Sequence, residues 1–166
     1  MARTYPGRRM IDDPTGAVGS GTAEDPRLVV EAWLAVPAGE EWRVLMLRRR
    51  PDQGGFWLGV SGRVETCDVS LRAAALREIR EETGLDGGIA ILDLGLWLTF
   101  RGFSGVHFRK RSLGAILPSG TSPEAIVLSD EHEEAVLVTF EEATARVRWR
   151  ENVRELAALR AALAAR

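Results

Sequence analysis

Residues 77–85 read Arg-Glu-Ile-Arg-Glu-Glu-Thr-Gly-Leu, and this run constrains the fold more than any other stretch of the chain. It follows a sequence with clear helix signals: Ser70 suits an N-cap, residues 73–76 are Ala-Ala-Ala-Leu, and Gly84 suits a left-handed C-terminal stop, which together predict a helix over residues 71–83. The apolar stripe of that helix runs through Leu71, Ala75 and Ile79. Glu82 lies seven positions after Ala75 and three after Ile79, so it falls on the stripe, with Glu78 and Glu81 along its border. Burying an unpaired carboxylate is costly, and Glu78 and Glu82 also repel each other as a like-charge i,i+4 pair. Breaking two local rules within one turn is the mark of a functional site, and the chemistry that tolerates it is a divalent cation bound for phosphate work. The bland alternative is a solvated charged face on which Arg77 and Glu81 form an ordinary surface ion pair.

The complete pattern favours the cation. With Gly62-Arg63-Val64-Glu65 ahead of it, the segment resembles the Nudix hydrolase family, whose box runs Gly, five residues, Glu, seven residues, then R-E-apolar-x-E-E-x-G-apolar. The second half is matched throughout. In the first half Gly62 serves as the opening glycine, but the sixth residue after it is Asp68, and eight residues separate Asp68 from Arg77. The loop therefore carries one added residue. The resemblance implies that Glu78, Glu81 and Glu82 hold Mg²⁺ or Mn²⁺, with the Gly62 carbonyl contributing. It also implies a catalytic set of Glu78, Arg77 and an acid outside the box, Arg77 acting by pinning the carboxylates. Hard oxygen donors of this kind suit Mg²⁺, which keeps several waters and accepts substrate phosphate oxygens. The implied reaction is hydrolysis of a phosphoanhydride.

Outside the box the chain reads as strands and helices in mixed order. Residues 27–36 and 42–47 form a hairpin across Pro37-Ala38-Gly39-Glu40, residues 56–62 a short strand, and residues 89–100 and 106–117 long strands joined at a glycine-rich turn. Residues 135–140 make the last strand; residues 141–146 and 151–166 are helical, the second with a stripe through Val153, Leu156, Leu159 and Leu163. The order alone supports α/β or α+β, and the resemblance implies an α/β/α sandwich with a mixed β-sheet. Residues 1–25, poor in large apolar side chains, read as a flexible arm, and residues 26–166 as the single domain.

Several residues bear on the substrate. Arg48, Arg49 and Arg50 end an apolar strand, where they either grip phosphates or form an ordinary charged rim. Phe56 and Trp57 stack on a planar base if exposed and join the core if not. His132 reads as a surface histidine. By resemblance, Glu131 is the acid outside the box, a metal-reaching glutamate or general base, with Glu133 and Glu134 as substitutes. V-L-M-L-x-R-R, F-W-x-x-V-x-G-x-V-E, Glu131-His132 and Trp149 with Asn152 are similar to the dihydroneopterin triphosphate pyrophosphatase branch, which implies a pterin triphosphate substrate. Broad-specificity nucleoside di- or triphosphate hydrolases, dinucleoside polyphosphate hydrolases and a non-catalytic nucleotide-sensing module are the alternatives.

Composition narrows the partners. A net charge of −2 gives no general attraction to nucleic acid or anionic membrane, and residues 101–111 read as a strand with an exposed basic face. No run of 18 apolar residues occurs and residues 1–6 lack the apolar core of a signal peptide, so a cytoplasmic location is the default. Cys67, the lone cysteine, rules out an intrachain disulfide. The expected partner is a small phosphorylated substrate, with no membrane and no nucleic acid; a homodimer is left open.

Overall fold

A computed structural model describes residues 18–166. The expected arm lies largely outside these residues. From Val18 onward the chain runs alongside the domain: Leu28 N donates to Val18 O at 3.1 Å and His107 N to Gly21 O at 2.9 Å.

Among the described residues seven strands form one mixed sheet. These are β1 (Arg27–Ala38), β2 (Glu41–Arg49), β3 (Trp57–Leu58), β4 (Val60–Arg63), β5 (Ala90–Arg101), β6 (His107–Ile116) and β7 (His132–Val138). The order β3-β2-β1-β6-β5 is completed by β4 on β1 and β7 on β2, and only the β1–β6 pair is parallel. Three helices cover the sheet: α1 (Leu71–Thr83) on one face, α2 (Phe140–Arg146) and α3 (Arg150–Ala164) on the other. The α/β/α sandwich expected from the sequence is therefore the fold. Among the described residues no helix is long and apolar enough to cross a membrane.

Strand alternation sorts the core into two layers. On β1, Val30, Ala32, Leu34 and Val36 pack with Leu71, Ala74, Ala75 and Ile79 of α1, whereas Trp33 and Ala35 pack with Leu156 and Leu159 of α3. Each fully buried leucine or isoleucine in these layers contributes about 1.5–3 kcal/mol. Polar α1 is thus held by a narrow stripe, which fixes the rotation of its carboxylates.

The boundaries of α1 match the expectation. Ser70 accepts from Ala73 N at 3.1 Å, and Gly84, at φ 72°, closes the helix through its N–H to Arg80 O. The strand expected over residues 56–62 is broken at Gly59. There the chain leaves β2 for β1, and a Cβ on Gly59 would lie 2.2 Å from Ala32 O. Phe140, expected in the last strand, instead opens α2, because Thr139 and Glu142 form a capping box. The buried stripe of α3 is rotated from that expected: Val153 is exposed, and Asn152 and Glu155 are buried beside Leu156, Leu159 and Leu163. Lys110 and Arg111 are likewise buried, which corrects the exposed basic face expected on β6.

Candidate active site

The carboxylate cluster sits where α1 crosses the split between β2 and β4. Glu82 is only 4% exposed, and among the described residues its Oε2 atom has no hydrogen-bond partner. Burial, reinforced by the neighbouring Glu78 carboxylate, pushes its pKa up to about 8, against partial relief from Arg49 and a backbone hydrogen bond from Ser61. Glu78 is also raised, again chiefly by burial. Glu81 is more open, its side chain 53% exposed.

Arg77 organises the acids from one side. Its Nε and Nη2 donate to the two Asp68 carboxylate oxygens at 3.0 and 2.8 Å, Nη2 also reaches Arg63 O at 2.9 Å, and Nη1 donates to Glu78 Oε1 at 2.8 Å and Glu81 Oε2 at 3.3 Å. Arg77 thus ties Asp68, Glu78 and Glu81 together. Burial would raise the Asp68 carboxyl, but Arg77 and the Glu65 N–H outweigh it and hold it below the ordinary carboxylate range. The added loop residue is absorbed in a turn that Asp68 closes, donating from its N to Glu65 O at 3.0 Å and accepting from Glu65 N at 2.7 Å. Asp68 thus faces Arg77.

At Gly62 the constraint is contact with the Glu78 carboxylate, not backbone conformation. A Cβ there would fall 1.9 Å from Glu78 Cδ and 2.0 Å from Oε1, so the carboxylate lies directly over the β4 backbone. Hard oxygen donors, an orphaned buried carboxylate oxygen and a glycine cradle suit a divalent ion held by Glu78, Glu81, Glu82 and the Gly62 backbone. Among the described residues no three acidic, histidine or cysteine side chains converge as a ready-made cage. Arg77 draws Glu78 and Glu81 to itself.

Across the split, β2 and β7 add a second group. Arg49 shares the α1 face with Leu45 and Leu47, and its Nη1 donates to Glu131 Oε2 at 2.8 Å and to Gln53 Oε1 at 3.0 Å. Arg49 and Glu131 both act electrostatically on Glu82, which brings the loop acid to the box carboxylates. His132, expected at the surface, is buried with a fully covered side chain, and burial pushes its pKa down to about 4.

The remaining candidates are held by other partners. Arg48 points to the opposite face, where it bonds Glu133 at 2.8 Å and Glu134 at 3.0 Å and lies over the Trp57 ring. Trp57 packs in the α2–α3 layer, with Arg146 also over its ring. Phe56 meets Trp149 edge-on at 4.6 Å. Arg50 pairs with Asp52 on the surface.

One cluster escaped sequence reasoning. Beneath α3, Glu155 accepts from Lys110 at 2.8 Å, Ser112 at 2.6 Å, Trp33 at 3.0 Å and Asn152 at 3.0 Å, and Lys110 also binds Glu31. Burial raises Glu31 to about 7 despite Lys110. A lone acid within the apolar run Leu-Val-Val-Glu-Ala-Trp-Leu and the chain's single lysine were the available signals.

The NUDIX domain family matches residues 26–159. An Ap4A hydrolase of C. elegans superposes with TM-score 0.70 at 20% identity, covering 84% of this chain and 98% of that one. The dihydroneopterin triphosphate pyrophosphohydrolase of E. coli gives 0.65 at 24%, covering 78% and 91%. The NUDIX domain of Shewanella oneidensis NrtR, complexed with ADP ribose, gives 0.66 at 18%, covering 83% and 88%. At these identities the likeness is one of fold. A 71-residue stretch is 44% identical to an octanoyltransferase of Myxococcus xanthus; it covers 43% of this chain but only 20% of that protein's length.

Proposed function

This chain belongs to the Nudix family of hydrolases, and on that premise we propose that it cleaves a phosphoanhydride bond in a nucleoside or pterin polyphosphate with Mg²⁺ or Mn²⁺ bound. The observation that carries the proposal is Glu82, buried with an unpartnered oxygen beside Glu78 over the Gly62 backbone. A bound divalent ion supplies neutralisation of the phosphate oxygens and a lowered pKa for water.

The chain's own residues do the rest. Arg77 holds Glu78 and Glu81 in register through its clasp on Asp68. Arg49, facing the carboxylates, exchanges Glu131 for a substrate phosphate, to which a guanidinium binds bidentately. Glu131, so released, takes the proton of the attacking water as its oxygen bonds to phosphorus and the anhydride P–O bond breaks toward the leaving phosphate. Phe56, whose backbone O accepts from Arg49 N at 3.0 Å, meets Trp149 edge-on and offers an aromatic edge for the planar base.

A reduced pterin triphosphate, releasing pyrophosphate, is the substrate favoured by the Phe56-Trp57, Glu131-His132 and Trp149–Asn152 features. A dinucleoside polyphosphate is the second candidate, supported by the likeness to the Ap4A hydrolase. Incubation with millimolar Mg²⁺ or Mn²⁺ and a panel of nucleoside triphosphates, dinucleoside polyphosphates and dihydroneopterin triphosphate tests the reading directly. Release of neither phosphate nor pyrophosphate from any of them defeats it in favour of a sensing module. An unchanged rate in Glu131→Gln removes Glu131 from the mechanism.

A further inference from the structure

β7 carries an irregularity that has a chemical effect. Along this strand Val136 and Val138 belong to the α2–α3 layer, and alternation would send His132 there too. Instead Arg48 opposes Glu134 and Arg49 opposes His132, so one residue, Glu133, is bulged out of the ladder. The bulge turns His132 onto the face of Arg49 and α1. Bulges beside functional sites commonly re-aim a side chain in this way.

What His132 meets there is Glu82. Its Nε2 lies 3.8 Å from Glu82 Oε2, its side chain is fully covered, and among the described residues neither ring nitrogen has a hydrogen-bond partner. Glu82 Oε2 is equally orphaned. Two buried polar atoms without hydrogen bonds, 3.8 Å apart, are rare enough to need a reason. The charged groups around them are Arg49 from β2, Glu131 from the preceding loop and Glu78 from α1.

We propose that His132 is the positioning residue for Glu82: a neutral imidazole whose Nε2–H donates to Glu82 Oε2 and orients the carboxylate toward the metal. The separation exceeds a hydrogen bond, and a shift of about 0.8 Å, from 3.8 Å to the ~3.0 Å typical of N–H···O, closes it. With Ser61 donating from the β4 backbone, Glu82 is then held from both sides of the sheet's split. Partners of this kind change metal affinity without touching the metal.

The inference rests on Glu82 being a metal ligand, and the test separates the two. Binding of Mn²⁺ alone is measured calorimetrically for the full chain and for Glu82→Gln, His132→Phe, His132→Gln and His132→Asn, each checked for folding by urea melt. His132→Phe is expected to weaken binding about 10–100-fold, His132→Gln, whose amide nitrogen reaches the Nε2 position, to restore it to within about threefold, and His132→Asn to leave it weak. In the wild-type protein, ¹⁵N spectra of the imidazole, assigned with His107→Gln, should show the proton on Nε2 and a shift on adding Mg²⁺. These spectra decide the matter even where His132→Phe fails to fold. Wild-type affinity in His132→Phe, equal loss in the Gln and Asn variants, or a proton on Nδ1 overturns the role of His132. No Mn²⁺ binding by the wild type, or binding that Glu82→Gln leaves unchanged, overturns the metal reading and this inference with it.

Discussion

Glu82→Gln should stabilise the metal-free protein while abolishing most of its activity. The substitution keeps the shape of the side chain and removes its ionisation. Glu82 is raised from the ordinary 4.5 to about 8, so between those values the folded chain holds a proton that the unfolded chain has released. The sign follows: the unfolded state binds fewer protons in this window, so wild-type stability is fully present below about pH 4.5 and is lost as pH rises toward 8. At about 1.36 kcal/mol per pH unit, the accumulated cost at pH 7.5 is on the order of 3–4 kcal/mol. Glutamine carries no such cost. Urea melts in EDTA across pH 4 to 8.5 should therefore show the variant and wild type nearly equal at the acid end and diverging upward. At pH 7.5 the difference corresponds to roughly 10 °C in Tm for a chain of this size. Adding Mg²⁺ should recover stability in the wild type, with protons released, and not in the variant. A stability difference independent of pH, or a variant less stable than wild type at pH 8, would mean that Glu82 is not buried against its own charge.

Three other outcomes follow from single contacts. Asp68→Asn removes the carboxylate that takes two of the hydrogen bonds of the almost covered Arg77, leaving it Glu78 and Glu81, and should cost about 1.5–3 kcal/mol in urea melts along with most of the turnover in the panel assay. Gly62→Ala pushes the Glu78 carboxylate off the β4 backbone, so circular dichroism should show a retained fold while hydrolysis falls at least about 100-fold. Lys110→Met leaves Glu31 and Glu155 buried together, costing about 3–5 kcal/mol by melts at pH 8 and less at pH 5, where Glu31 takes up a proton.

Local signals carried most of the architecture. Ser70 and Gly84 bound α1 because their capping chemistry acts within four residues, and Glu82 was recognisable on the stripe because helix phase is set by the same short range. Arg49 and Arg48 were not separable in that way: each ends the same apolar strand, and only the strand's alternation relative to a packed layer sends one to the carboxylates and the other to Trp57. His132 was hidden by the bulge at Glu133, which shifts phase by one residue with no glycine or proline to mark it. The Glu155 network was hidden for a different reason. Its partners Trp33 and Ser112 stand 122 and 43 residues away, beyond any periodicity.

The burial of Lys110 has a practical corollary. The chain's only ε-amine lies under α3, clasped between two carboxylates. With its side chain 8% exposed and held by both carboxylates, it should meet an amine-directed reagent chiefly when α3 lifts from the sheet, so its rate of modification tracks that opening in the way amide exchange tracks local unfolding. Read by mass spectrometry at this one position, acylation becomes a clock for the parting of the helix from the sheet, one event per molecule.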